Sequence, residues 1–428
     1  MLSARLLSLL VFVLVISITV QSQTVWERQS PDPVLTTWSG ISSDPSGYLS
    51  AFIPSVLFDS TTNLYKMWFV SRSFSAACYF GFSEYDISYA VSSNGVDWFP
   101  FSKNPVLSTG TPGSFDGVNV TDPFVIHDGT QYLMYYTGFN GSTYRTGLAT
   151  SLDGIMWTKS SNNPVLDVGP GSWETVGSNA PKVFKVGSNF NMLYAGFDGT
   201  HYKIGLATSS DGITWTKSSQ NPILSPGPSG TWDEHSVITG ALTEHDGTYY
   251  LMYIGQIMPA TESVGLATSP DGMVWSKYSG NPVFVPAAPG NWDNRILYGS
   301  MIFKDSLFHY WYSGYGGSWQ TGYATSAFNP LSVGDRGEGT PMLFKLFQSY
   351  PNPFNPSATI EFQLPKAQTV TVLVFNTLGE EVSRLVDGKR EAGFHSIEFN
   401  AQSLPSGVYF YQFRSEEFAD TKKMTLLK

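Results

Sequence analysis

Small or apolar residues alternate with polar ones through Gly205-Leu206-Ala207-Thr208-Ser209; Trp215 follows, and Pro222 stands seven positions beyond it. Between the two halves lies Asp211-Gly212, a dipeptide that accepts positive φ at both centres of a type I′ turn, so residues 205–224 read as a β-hairpin. Close copies occupy residues 147–166 and 265–284, a looser one residues 88–107, and a truncated one opens at Gly322. Their starts are 57 to 60 residues apart, which marks an internal repeat. Two further short alternating runs precede each hairpin. In the second repeat they are residues 122–127 and 132–136 around Asp128-Gly129, and in the fourth residues 237–243 and 249–254 around Asp246-Gly247. Four strands per repeat and five repeats predict an all-β fold, a five-bladed β-propeller over residues 23–330.

The two ends of the repeat array complement each other. Trp26 and Pro33 keep the seven-residue spacing and Val34-Leu35 follow, yet no first half precedes them; Gly322-Tyr323-Ala324-Thr325-Ser326 opens a hairpin that no Trp completes. The N-terminal strand is therefore expected to complete the last repeat and close the ring, removing exposed strand edges. Strand alternation puts the short Asp-Gly turns on one face, where little room for chemistry is expected. The longer connections, at residues 71–86, 139–145, 198–203, 256–263 and 315–320, fall on the other face, and binding residues are expected there.

Residues 1–22 carry Arg5, a short apolar run and small residues at 20 and 22, the pattern of a signal peptide rather than an anchor. No other long apolar run follows, so no transmembrane segment is expected in the mature chain. Charged residues make up only 14% of the chain and aromatics 15%, which suits many short strands and turns. A net charge of -10 argues against nucleic acid or an anionic membrane as partner. Cys78 is the sole cysteine, so no intrachain disulfide forms. Residues 331–341 read as a linker rich in Gly and charge, and residues 342–428 as a separate small β-sandwich of immunoglobulin-like type.

Comparing the repeats separates scaffold from site. Asp116, Glu174, Asp233 and Asp293 end a G-x-[FW]-[DE] pattern in four repeats, and so read as a packing device. Asp122, followed by Pro123, is singular: the matching positions are read as Ile53, Ala180, Thr239 and Gly299. Glu234 and His235 fill a crossing where other repeats have Gly117-Val118, Thr175-Val176 and Asn294-Arg295. Asp122 and Glu234 are thus the catalytic candidates. His235, Arg295, Asn179, Trp319 and Arg145 are the candidates for binding substrate in an aromatic-lined funnel.

The five-fold ring, Thr121-Asp122-Pro123-Phe124 and His235-Ser236-Val237 resemble the arabinanase, levansucrase and invertase superfamily, above all glycoside hydrolase family 43, with families 32 and 130 as relatives. The resemblance implies a secreted carbohydrate-active protein with three funnel carboxylates, of which Asp122 takes the orienting role. It departs at Ile53, where the family has its base, and at Asn179-Ala180, where it has its acid; Glu234, Glu84, Glu262 and Glu174 are the carboxylates on the same face that remain. The alternative is a non-catalytic propeller that binds a glycan or a surface partner. The S-x-D-G-x-x-W hairpins also resemble the sialidase Asp-box, but five repeats and scattered arginines depart from that family.

No zinc-ligand spacing, nucleophile elbow or phosphate-binding glycine loop occurs, and no cofactor is expected; for a calcium ion on the axis the sequence names no ligand set. The C-terminal unit, with Tyr350-Pro351-Asn352-Pro353-Phe354-Asn355-Pro356, Leu404-Pro405-Ser406-Gly407-Val408-Tyr409 and the closing Lys422-Lys423-Met424, resembles the type IX secretion sorting domain. That resemblance implies the type IX machinery as partner and a secreted or cell-surface location.

Overall fold

The computed structural model describes residues 26–36, 50–73, 84–169, 171–257, 261–326, 344–347, 349, 352 and 354–428. The signal-peptide and linker expectations and Cys78 lie outside them. A two-residue strand, β1 (Glu27–Arg28), comes first. It is followed by β2 (Ala51–Asp59), β3 (Leu64–Ser73), β4 (Glu84–Ser92) and β5 (Phe99–Pro100), an antiparallel unit in that order. The pattern repeats in β6 (Asn119–His127), β7 (Tyr132–Phe139), β8 (Tyr144–Ser151) and β9 (Thr158–Lys159). The third unit is β10 (Gly177–Val186), β11 (Asn189–Phe197), β12 (Tyr202–Ser209) and β13 (Thr216–Lys217). The fourth is β14 (Ser236–His245), β15 (Thr248–Ile257), β16 (Thr261–Ser269) and β17 (Ser276–Lys277).

The last three strands of this array are β18 (Arg295–Lys304), β19 (Leu307–Tyr315) and β20 (Trp319–Ser326), and the fourth member of their sheet is β1. Glu27 pairs with Thr325 and Arg28 with Ala324, and Leu35 bridges Thr321, so the N-terminal segment completes the final unit as its spacing predicts. The leading strands β2, β6, β10, β14 and β18 touch one another in a closed ring, β18 returning to β2. Hydroxyls stitch this ring: Val125 N donates to Ser55 Oγ at 2.9 Å, Val56 N to Ser300 Oγ at 2.9 Å and Ala180 N to Thr137 Oγ1 at 2.9 Å. The fold is all-β and propeller-like.

Two devices recur around the ring. An aromatic on the second strand of one unit donates to the hairpin glycine carbonyl of the next: Trp68 to Gly154 at 2.7 Å, Tyr135 to Gly212 at 2.8 Å and Trp311 to Gly95 at 2.7 Å. The second device is the G-x-[FW]-[DE] carboxylate. Asp116 accepts from Tyr136 and Lys159, Glu174 from Lys217, Asp233 from Tyr253 and Lys277, and Asp293 from Tyr312 and, across the closure, Arg28 at 2.6 Å. Burial together with these anions holds Tyr136, Tyr194, Tyr253 and Tyr312 neutral far above the ordinary phenol range. Their repetition had marked them as scaffold, and the structure uses them so.

The hairpin turns differ from the type I′ expectation. Only the glycine takes positive φ, as at Gly154 (78°) and Gly212 (74°). The Asp stays on the negative side because its carboxylate gathers the N–H groups of the two residues past the glycine, Ile155 and Met156 onto Asp153 and Ile213 and Thr214 onto Asp211. Left-handed pairs occur instead at the inner hairpins, Asp246-Gly247 and Asp305-Ser306. The strand after each Trp is also shorter than the pattern suggests, two residues and then an isolated bridge such as Leu166 to Thr146.

Beyond the ring, β21 (Lys345–Leu346), β22 (Ser357–Leu364), β23 (Gln368–Phe375), β24 (Glu381–Arg390), β25 (Gly393–Asn400), β26 (Gly407–Arg414) and β27 (Ala419–Leu426) form a second unit. A three-stranded sheet, β21-β22-β25, and a four-stranded one, β24-β23-β26-β27, enclose a core of Ile360, Phe362, Val372, Tyr411, Phe413 and Met424. This is a small sandwich with its own hydrophobic centre.

Candidate functional site

Each leading strand is bulged at the same depth. In β6 the register passes from Thr121 opposite Thr137 to Phe124 opposite Tyr135, so Asp122 and Pro123 face Tyr136. Asp122 sits in the left-handed region at φ 50°, and Ile53 and Ala180 do the same at 51° in β2 and β10. Proline at the next position pushes its predecessor out of the right-handed helical region, and the bulge turns that residue toward the axis. The irregularity falls at Thr239/Ala241 in β14 and at Leu297/Gly299 in β18. Counting from Thr121 opposite Thr137 and Leu297 opposite Ser313, the residue matching Asp122 in β18 is Tyr298, not Gly299 as the sequence alignment of repeats had it.

Asp122 is buried. Thr121 Oγ1 donates to its Oδ2 at 3.1 Å, while no donor among the described residues meets Oδ1 within hydrogen-bonding distance. Burial raises its pKa above the usual carboxylate range, opposed by the Lys182 ammonium and by the Thr137 and Thr121 hydroxyls. Lys182 is itself buried; its Nζ donates to the Pro181 carbonyl at 3.2 Å and lies 5.3 Å from the Phe124 ring centroid. Burial pulls its pKa down to about 8, with Asp122 pulling the other way. Tyr144, Tyr202 and Tyr298 are kept neutral first by burial and then, in part, by the Asp122 charge. The amide oxygen of Asn179, on the neighbouring strand β10, is likewise buried with no donor on it.

The remaining candidates are disposed around this centre on the long-loop face. Arg295 forks onto the buried carboxylate of Glu262, Nη2 at 2.6 Å from Oε1 and Nε at 3.2 Å from Oε2, and its guanidinium lies 5.9 Å from the Trp319 ring and 6.0 Å from Tyr315. Trp319 in turn stacks on Phe52 of β2 with centroids 5.6 Å apart. His235 contacts Ser236 Oγ through Nδ1 at 3.0 Å, and its ring lies 4.7 Å from that of His201. Arg145 is paired with Asp167 at 2.6 Å.

The second carboxylate expected beside Asp122 finds other partners. Glu234 Oε2 accepts from the Gly230 amide of its own loop, Glu174 holds Lys217, and Glu262 holds Arg295, while the side chain of Glu84 lies outside those described. The sequence reading passed over Lys182, Tyr144, Tyr202 and Tyr298. Lys182 carried a readable signal: the residues at its register in the other leading strands are Ser55, Phe124, Ala241 and Ser300, so a lysine there is singular. Among the described residues no group of three or more His, Cys, Asp and Glu is set to hold a metal ion.

The face of short turns is not devoid of space. Past the bulges, Ser55, Phe124, Val183, Leu242 and Met301, one from each leading strand, help line a largely apolar cavity of about 230 Å³ on the side of the Asp-Gly turns.

Comparison with known proteins gives two family matches. Residues 142–304 match the model for β-1,4-mannooligosaccharide phosphorylase, glycoside hydrolase family 130, and residues 348–426 match the secretion system C-terminal sorting domain. The glycoside hydrolase likeness therefore runs to family 130 and not to family 43, and the three-carboxylate template of the latter falls away with it. An uncharacterized protein of Mycobacterium tuberculosis (strain H37Rv) is 30% identical over 176 residues, covering 40% of this chain and 54% of its own length. The chain thus spans about half the length of that curated relative.

Among solved structures, β-1,2-mannobiose phosphorylase from Listeria innocua superposes with a TM-score of 0.58 at 14% identity, covering 72% of this chain and 98% of its own. A family 130 structure described as targeting β-1,2 mannosidic linkages in Candida mannan gives 0.56 at 19% identity, covering 72% and 95%. A glycosyl hydrolase from Bacteroides ovatus gives 0.57 at 19%, covering 71% and 94%. These likenesses establish the fold of the ring. The C-terminal sorting domain directs the protein to the cell surface or the extracellular space.

Proposed function

We propose that the ring is a five-bladed carbohydrate-active propeller that cleaves a glycosidic bond in a neutral, mannoside-type oligosaccharide, with Asp122 as the acid. One observation carries this reading: a buried carboxyl, its pKa raised by burial, presents an oxygen that no protein donor meets, beside a second unmet acceptor on Asn179. Buried acceptors without partners are costly, and the O–H groups of a sugar supply the missing donors. A carboxyl held protonated can give its proton to the glycosidic oxygen as the C1–O bond breaks.

Inverting hydrolysis also needs a carboxylate base, and among the described side chains Glu174, Glu234 and Glu262 are otherwise engaged. Attack by an oxyanion such as phosphate needs no base, since the nucleophile arrives charged; the C1–O bond to the leaving sugar breaks, a C1–O bond to phosphate forms, and the acid proton ends on the leaving oxygen. The phosphorylase named by the family match agrees with a site holding one free acid. Neutral substrate is favoured because Arg295 and Arg145 are each neutralised by a carboxylate.

The test is release of sugar from a panel of β-linked mannooligosaccharides by the mature chain, with and without inorganic phosphate. Phosphate-dependent formation of a sugar 1-phosphate, lost in Asp122→Asn, supports the reading, while release without phosphate assigns water as the acceptor. The engagement of Glu174, Glu234 and Glu262 with other partners favours the second reading, a glycan-binding propeller. Binding of the same panel with no product in either condition would leave that one standing.

A further inference from the structure

Lys182 is the least expected side chain in the ring. It stands two residues past the place that Asp122 takes in β6, at the register where the other leading strands present Ser55, Phe124, Ala241 and Ser300. A lysine is among the residues least often found fully buried, and here the side chain is buried with one backbone carbonyl, Pro181 O, on its Nζ. Its other neighbours are the Phe124 ring and the Asp122 charge, both brought by β6, the strand packed against its own. A surface or packing role needs neither the burial nor the charge. Methionine would fill the same space at lower desolvation cost.

The remaining titratable groups facing Asp122 are Tyr144 at the start of β8, Tyr202 at the start of β12 and Tyr298 in the β18 bulge, all neutral at any ordinary pH. Thr121 and Thr137 add hydroxyls. Among the described residues Lys182 is therefore the cation set against Asp122, and the two are mutually responsive: removing either charge changes the proton affinity of the other.

We propose that Lys182 is a positioning residue for Asp122, a buried ammonium from the neighbouring strand that fixes the protonation state of the carboxyl and through it the pH range in which the funnel works. This rests on Asp122 being the functional carboxyl, as proposed above. Lys182 touches no reacting atom in this account. It acts through the charge it sets beside the acid. Without it, desolvation acts on Asp122 against the Thr137 and Thr121 hydroxyls alone and the carboxyl stays protonated to higher pH.

The experiment uses the full mature chain and two readouts. Carbon-13 carboxyl NMR titration of Asp122, assigned by comparison with Asp122→Asn, is expected to shift upward by at least about one pH unit in Lys182→Met and by much less in Lys182→Arg, since a tenfold change in proton affinity is one unit. If cleavage is detected, the pH dependence of kcat/KM should move in the same direction in Lys182→Met with KM little changed, and Lys182→Arg should restore the original profile. An Asp122 titration that does not move in Lys182→Met overturns the proposal. So does an equal shift in Lys182→Met and Lys182→Arg, because it would report lost packing rather than lost charge. Should Lys182→Met fail to fold, Lys182→Arg and the titration of Lys182 itself in Asp122→Asn, expected to fall, decide the matter. A shifted titration in a chain that cleaves nothing would sustain the Lys182 pairing and refute the enzymatic reading.

Discussion

Seven acidic residues are buried among the described residues of this ring; Asp86 accepts from the Thr109 amide and Glu262 holds Arg295, and the other five divide four to one. Asp116, Glu174, Asp233 and Asp293 each hold a Lys or Arg across the same stretch of sheet, and for three of them a tyrosine hydroxyl donates as well. Asp122 has a donating Thr121 at 3.1 Å with the Thr137 hydroxyl nearby, an oxygen that no donor among the described residues meets, and a lysine that acts on it through charge. Satisfied carboxylates that recur with the repeat tie the segment entering each unit to that unit's own strands. The carboxylate that occurs once and is left incomplete is the one free to act on something else.

That contrast can be broken most forcefully at the closure, where the scaffold set depends on a residue from the far end of the chain. Deleting residues 26–36 removes β1, the Arg28 partner of Asp293 and the edge-to-face contact of Trp26 with Tyr310. A lost strand, an exposed edge and an uncompensated buried carboxylate together predict a fall in Tm of more than about 10 °C. A Tm within a few degrees of the intact chain would mean that the ring closes without its N-terminal strand.

A smaller effect tests one member of the scaffold set alone. Glu174→Ala strips the anion from Lys217, whose ammonium also donates to Ser178 Oγ at 3.0 Å and to the Asp167 carbonyl at 2.7 Å. Leaving a partly buried ammonium without its counter-ion predicts a loss of about 3 kcal/mol in denaturant unfolding. The double variant Glu174→Ala, Lys217→Met should recover much of it.

For Asp122 the same substitution class should behave differently, and here pH separates the two sets. Its folded pKa lies above the unfolded value, so the folded state holds the proton more tightly. The stability it contributes is fully present below about pH 4 and is lost as pH rises through the folded pKa. Asp122→Asn removes that dependence. The variant is expected to match the parent within about 1 kcal/mol in acid and to gain on it as pH rises. A variant that loses stability relative to the parent at neutral pH would place Asp122 among the structural carboxylates.

Most of the ring could be read from the chain before any coordinates. The Trp-to-Pro spacing, the Asp-Gly pairs and the two incomplete ends define the units and their closure, because period-two patterning and turn chemistry act locally. The bulges were not legible. Asp122-Pro123 looks like the start of a strand, and only the cross-strand register reveals that two residues face Tyr136 there and that Tyr298 takes the matching place in β18. Lys182 escaped for a related reason, since repeats were compared at the position of Asp122 and not at the next one facing the axis. Partner choice is the other thing sequence withholds: Glu234 and Glu262 are equally plausible funnel acids on paper, yet a backbone amide takes one and Arg295 the other.

The Glu262–Arg295 pair supplies the finest test of the division between scaffold and site, because it has features of both. Glu262 is buried and satisfied like the scaffold carboxylates, but its cation faces the funnel rim with the side chain 41% exposed. The fork uses Nε and Nη2 of the guanidinium and leaves Nη1 outside it, in a group that lies next to Trp319 and Tyr315. If the carboxylate serves to hold that arginine for a sugar hydroxyl, Glu262→Gln should weaken glycan binding by roughly five- to tenfold, about one charge-assisted hydrogen bond's worth of alignment, with only a small change in Tm. Glu262→Gln should also admit acidic oligosaccharides that the parent refuses, since the arginine would then carry an uncompensated charge. Calorimetric titration with matched neutral and uronate-bearing oligosaccharides reads both effects, and unchanged affinity for both would assign the pair to the scaffold after all.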